Sequence, residues 1–314
     1  MKLALVTDSL AHLAFEDMLD AASRLGLSAI ELNTGGTSNR PHVDVPRLLE
    51  DADARKRLLG CVREKGLKLH ALNAFGNPLH PNDRTQADTL VDSIRLAGLF
   101  EVDTVVTASG LPAANPNDTM PNWVTNSWTK ENQNALRYQW EEVLFPFWTG
   151  IVALARENGV SRIALTLGVN QCVHNVHTLL ELRETVGPRI GASLSPASQF
   201  LIGADPIQAV EVLEHALYNV HATDIMLNPA VQATTSLIDT GNILDMAHRP
   251  WCFTTPGYGH DADWWSRFCY RLAMIQFDGC ISATHQDLVL RPMDALHKST
   301  RMLRDVMPLA KRNN

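Results

Sequence analysis

The chain has 314 residues, 45% of them hydrophobic and 19% charged, a balance that excludes disordered and fibrous classes and leaves room for one large domain or two ordinary ones. A formal net charge of −7 with scattered basic residues argues against nucleic acid or an anionic membrane as a partner. Thr7 and Asp8 interrupt the opening MKLALVTDSLAHL too early for a signal-peptide core, no stretch reaches about 18 apolar residues, and the five cysteines show no metal-ligand spacing, so a cytoplasmic protein with reduced thiols is expected.

Strand and helix periods alternate from end to end. KLALVTDS reads as a strand, and AFEDMLDAASRLG follows with Phe15, Met18, Leu19, Ala22 and Leu25 at helical spacing before Gly26. AIELNTG is the next strand, then LKLHALNAFG with a helix over 85–99, and DTVVTASG with a long helix over 131–158. The second half supplies RIALTLG, IGASLSP, YNVHATD and GCISATHQ as strands, with helices over 176–185, 206–217, 262–276 and 292–310. Eight such units, joined by the short returns RLGLSAIEL, REKGLKLHAL and RENGVSRIAL, predict one (β/α)8 barrel over 1–314. The glycine in each return suits a left-handed helix stop. Two segments, 111–129 and 225–260, are too long for simple connections and fall on the strand-to-helix side, where loops roof the site of such a barrel.

Strand ends at that side place Asp8, Glu31, Asn73, Ser109, Thr166, Ser195, His221 with Asp224, and Thr284 with His285 around one mouth. The set is polar but poor in carboxylates. The tryptophans in and beside the long loops, Trp123 among them, suit the apolar face of a sugar ring or a flat aglycone, or else pin the loops.

The ordered segments TDSLAHL, NAFGNPLHP, TASGLP, PNWVTNSW, YQWEEVLFPFW, GADP, NVHATD and GYGHD resemble the xylose-isomerase-like sugar isomerase and epimerase family, which is related to C-glycoside deglycosidase catalytic subunits. The resemblance spans nearly the whole chain. It implies a divalent metal (Mn, Co, Mg or Zn) held by Glu, Asp, His and Glu at the ends of strands five to eight, the two glutamates moving a proton between adjacent sugar carbons. On that pattern Thr166 stands for the first Glu, Ser195 for the Asp, His221 for the retained His and Thr284 for the last Glu, while Ser198 replaces a substrate-contacting His. Three anions become neutral hydroxyls, which takes the formal charge of the site from about −3 to 0 and removes the compensation a +2 ion needs.

No cofactor is therefore expected, and the leading expectation is a carbohydrate-binding or partner subunit that has lost metal-dependent turnover. The alternative is an enzyme working without metal, abstracting a proton beside a carbonyl with His221, Asp224, Glu31 or His260 as acid or base. Asn73, His80, Trp123, Thr166, Ser195, Ser198, Thr284 and His285 are the candidate substrate contacts, with His12 and His42 in matched segments beside them. His80, His260 and His285 could also regroup around a softer metal. A sugar or glycoside is the expected ligand, with homo- or hetero-oligomerisation open.

Overall fold

The computed structural model describes residues 1–238 and 241–308. Eight strands, β1 (Lys2–Val6), β2 (Ala29–Asn33), β3 (Lys68–Asn73), β4 (Thr104–Thr107), β5 (Arg162–Thr166), β6 (Ile190–Leu194), β7 (Leu217–Ala222) and, last in the chain, β10 (Cys280–Ala283), form a closed barrel in the order β1-β10-β7-β6-β5-β4-β3-β2. Every neighbouring pair is parallel. The intervening β8 (Asp224–Leu227) and β9 (Trp251–Thr254) make a separate antiparallel pair.

The eight strands expected from the sequence are the eight of the barrel, because each is a short β-branched or leucine-rich run flanked by turn chemistry. Gly26, Gly66 and Gly159, one in each short return, adopt φ of +69°, +73° and +75°, the left-handed stop that lets a helix turn straight back into a strand. Outward-facing Leu5, Ile30, Leu72, Ile163 and Ile190 pack against the helices in one continuous core with Leu19, Leu90 and Trp148. No helix among the described residues is long and apolar enough to cross a membrane.

The long connections have more structure than their composition announces. Segment 225–260, expected as a loop, contains β8, a helix Pro229–Thr235 and β9, so a hairpin and not an irregular cover stands over this side of the barrel. The helix expected over 131–158 is continuous but changes character. It runs Lys130–Arg137 in α form, Tyr138–Leu144 as a π-helical stretch and Phe145–Glu157 in α form again. The helix expected over 206–217 stops at Leu213, because Leu217 already belongs to β7, and His215 is exposed on the intervening 3-10 turn Glu214–Ala216. The last helix is Pro292–Val306, and positions 309 and 310 of the longer expected helix lie outside the described residues.

One side chain fixes the segment 111–129. Gln139, buried on the π-helical stretch, donates from Nε2 to the carbonyls of Pro112, Ala113 and Asn122 at 3.4, 3.2 and 2.7 Å. A π turn re-aims side chains off the regular helical face, and here it turns one amide under the loop.

Candidate active site

Inside the barrel, where layers of Val, Ile and Leu ordinarily fill the space, a polar network crosses five strands. Its centre is Glu31 of β2, fully buried. Glu31 Oε1 accepts from Asn73 Nδ2 at 2.5 Å and faces His221 Nε2 at 2.8 Å, while Oε2 accepts from Ser282 Oγ at 2.8 Å and Asn219 Nδ2 at 3.1 Å. Asn219 also reaches Ser193 Oγ at 3.1 Å and His70 Nε2 at 3.3 Å. Burial pushes the Glu31 carboxyl upward, but the His221 charge and hydrogen bond, the Ser282 hydroxyl and His70 together outweigh it and hold the group down at about 2. A carboxylate so placed stays ionised with its acceptor positions taken, and such a group is a poor proton acceptor.

A second carboxylate, Asp224, is equally committed. It receives Ile225 N at 2.9 Å and His260 Nδ1 at 2.7 Å on Oδ1, and His260 N at 2.9 Å, Gly257 N at 3.3 Å and Trp265 Nε1 at 3.4 Å on Oδ2. The GYGHD motif thus wraps one buried anion. Gly259 is required there because a Cβ would collide with the Ile225 carbonyl oxygen. His260, oriented by Asp224, stacks on Phe200 with ring centroids 4.1 Å apart and an interplanar angle of 4°.

The remaining sequence candidates divide into groups. Ser195 Oγ pairs with Thr223 Oγ1 at 2.7 Å and with Ser198 Oγ at 3.1 Å, and caps the short helix Pro196–Leu201. Thr284 Oγ1 donates to the Ala222 carbonyl at 3.2 Å, and His285 N to Ser9 Oγ at 3.1 Å. Thr166 Oγ1 is buried without a partner. Trp123 stands edge-on to His174 at 6.0 Å, with its indole Nε1 also buried and unpartnered. His80 Nδ1 accepts from Asn82 N at 3.3 Å in the loop after β3, His42 Nε2 contacts the Leu13 carbonyl at 3.1 Å, and Ser109 Oγ accepts from Val173 N at 3.0 Å. The structure therefore brings Glu31, Asn73 and His221 together, Asp224 and His260 together, and Ser195 with Ser198. It gathers no three His, Cys, Asp or Glu side chains fit to hold a metal among the described residues, so His80, His260 and His285 form no such group.

The positions that the resemblance assigns to the family's metal can be tested on their donors. Thr166, Ser195 and Thr284 offer hydroxyls without charge, Ser195 and Thr284 are hydrogen-bonded to protein groups, and the Nε2 of His221 faces Glu31. A divalent cation needs anionic oxygen ligands at such a site, and this set does not fit one.

Sequence reasoning missed Asn219, Ser282, Ser193 and His70. Asn219 and Ser282 each stand two positions before a singled-out residue, His221 and Thr284, so the period of a strand already put them on the same inward face.

Fold and mouth together define a parallel (β/α)8 barrel whose ligand end is polar, neutral at the strand-five, -six and -eight positions, and tied around one buried carboxylate. The chain belongs to the xylose isomerase-like TIM barrel family, whose pattern matches residues 19–306. It is 38% identical over 311 residues to the uncharacterized protein YfiH of Bacillus subtilis, covering 98% of this chain and 99% of that one. Among solved structures it resembles the probable 3-DHS dehydratase AsbF of Bacillus anthracis, at 17% identity and TM-score 0.68 over 97% of this chain and 99% of that chain. It also resembles the 3-keto-D-glucoside 4-epimerase YcjR of E. coli, at 11% identity and TM-score 0.65 over 97% and 99% respectively.

Proposed function

We propose that this chain is a sugar-recognising member of its family that has given up divalent-metal proton transfer, and that it serves as a carbohydrate-binding or partner subunit. The observation that carries the reading is the joint replacement of three expected carboxylates by Thr166, Ser195 and Thr284, with the one retained imidazole, His221, facing Glu31 at 2.8 Å. The two buried carboxylates nearest this chemistry do not restore it, because Glu31 and Asp224 spend their lone pairs on protein donors. Sugar recognition draws support from the family and from YcjR, which is named for a keto-glucoside. Calorimetric titration with Mn²⁺ tests the reading. The native chain gives no saturable heat, whereas the combined Thr166→Glu, Ser195→Asp and Thr284→Glu variant gains a site; a native chain that binds Mn²⁺ at one per chain in the micromolar range contradicts it.

One observation favours a second reading, metal-independent proton abstraction beside a carbonyl. Asp224 holds His260 Nδ1 at 2.7 Å, an arrangement that fixes the tautomer and leaves Nε2 for chemistry. Turnover of a keto-sugar in excess chelator, abolished in His260→Gln, supports it; absence of turnover across keto-sugars and glycosides removes it.

A further inference from the structure

Among the described residues Trp128 is the most exposed large hydrophobic side chain, at 88%. The turn that carries it is nevertheless tightly built. Trp128 N donates to Asn126 Oδ1 at 3.2 Å, the same oxygen accepts from Asn132 Nδ2 at 3.1 Å, and Gln133 Nε2 donates to the Ser127 carbonyl at 2.9 Å. One residue further on, Thr129 Oγ1 accepts from Asn132 N at 3.2 Å and caps the helix Lys130–Arg137. Bonds on both sides of position 128 fix its backbone, so the indole is presented outward from a rigid base. Monomeric surfaces rarely hold a large apolar group out in this way unless something covers it.

Next to it the surface opens into a cavity of about 540 Å³, bounded by the segment 111–129, the π-helical stretch Tyr138–Leu144 and the helix Val176–Val186. Leu111, Trp123, Val124, Leu136, Trp140 and Cys172 supply its apolar wall, and Ser127, the chain neighbour of Trp128, is part of the lining while Trp128 is not. A projecting indole and an apolar hollow therefore lie side by side and do not engage within the chain. The charges around them are mixed. Lys130 and Arg137, and against them Glu131, Glu141 and Glu142, are all exposed, and none of the five enters an ion pair among the described residues.

We propose that this face is a two-fold interface between two copies of the chain, with Trp128 of each copy seated in the hollow of the other. Symmetry makes the second copy the fitting occupant: an axis that passes between indole and hollow brings each indole to its partner's hollow, so two identical contacts form at once. Charge selects the same partner. An occupant of one sign would leave either the two cations or the three carboxylates facing their like, whereas a second copy carries both signs across the axis. Composition agrees, since Trp123, Trp128, Arg137, Tyr138 and Trp140 gather within one short stretch, and Trp, Tyr and Arg are the types that dominate the energetic centres of interfaces. The inference does not depend on what the mouth of the barrel binds.

The test is sedimentation velocity on the full chain at micromolar concentrations. The native chain sediments as a dimer, and Trp128→Ala raises its dissociation constant about thirtyfold or more, the effect of truncating a central anchor residue. Far-ultraviolet circular dichroism of Trp128→Ala stays native, because a side chain so exposed supports little of its own fold. A second pair of variants reads the charges. Lys130→Glu with Arg137→Glu makes the face wholly acidic, and Glu131→Lys with Glu141→Lys and Glu142→Lys makes it wholly basic; each is monomeric alone, and the two pair when mixed. A native chain that stays monomeric overturns the inference. So does a native dimer whose dissociation constant is unchanged by Trp128→Ala, which places the contact on another face, and so do acidic and basic variants that fail to pair when mixed.

Discussion

Glu31 concentrates the energetics of the barrel interior in one residue. Its carboxylate is stable there only because Asn73, His221, Asn219 and Ser282 surround it. Removing the acceptor of several buried hydrogen bonds leaves its donors unsatisfied, a change that costs about 1–3 kcal/mol. Glu31→Gln, which also turns an amide N–H₂ toward existing donors, is expected to lower stability in urea by about that amount at neutral pH; an unchanged midpoint refutes the network. The pH dependence has a definite sign. Glu31 sits at about 2 in the folded chain against an ordinary 4.5, so its contribution is present above 4.5 and fades as the pH falls toward 2. The gap between native and Glu31→Gln midpoints therefore narrows from pH 5 to pH 3. Glu31 itself was legible in the sequence as a strand-end carboxylate, but its commitment to four donors was not. That commitment depends on side chains from strands more than a hundred residues away, such as Ser282, which no local period reveals.

At the scale of elements, strands and returns were legible because a parallel barrel writes them in local chemistry: leucine- and valine-rich runs, and a glycine where the helix must reverse. The hairpin β8–β9 was not legible. DIML and WCFT pair across a connection of more than twenty residues, and no tight-turn signal links them. The π-helical stretch Tyr138–Leu144 was equally hidden, since its sequence is an ordinary helical one, and Gln139 on it bonds the loop at 112–122, a long-range contact no local period reveals. Gln139→Ala removes three hydrogen bonds to that loop. Amide hydrogen exchange is expected to quicken across residues 113–122 with a stability loss of about 1–3 kcal/mol, leaving the barrel strands protected. Exchange that stays slow in that segment shows that other contacts hold the loop.

The whole molecule is a family barrel whose ligand end, on the proposed reading, does without a metal. On that reading hydroxyls stand at the mouth where a metal would need anions, and Glu31, Asp224 and Asp287 are hydrogen-bonded into the scaffold. It rests on Thr166, Ser195 and Thr284, which the sequence already placed at strand ends and the barrel keeps at the ends of β5, β6 and β10. The self-satisfaction of His221 by Glu31 emerged only from closure of the barrel, which sets β7 and β2 within reach across its lumen. The most direct test of this account is the metal content of the native chain purified without chelator. Elemental analysis is predicted to find Mn, Co, Mg and Zn each well below one per chain, and a tightly held ion at one per chain contradicts the account.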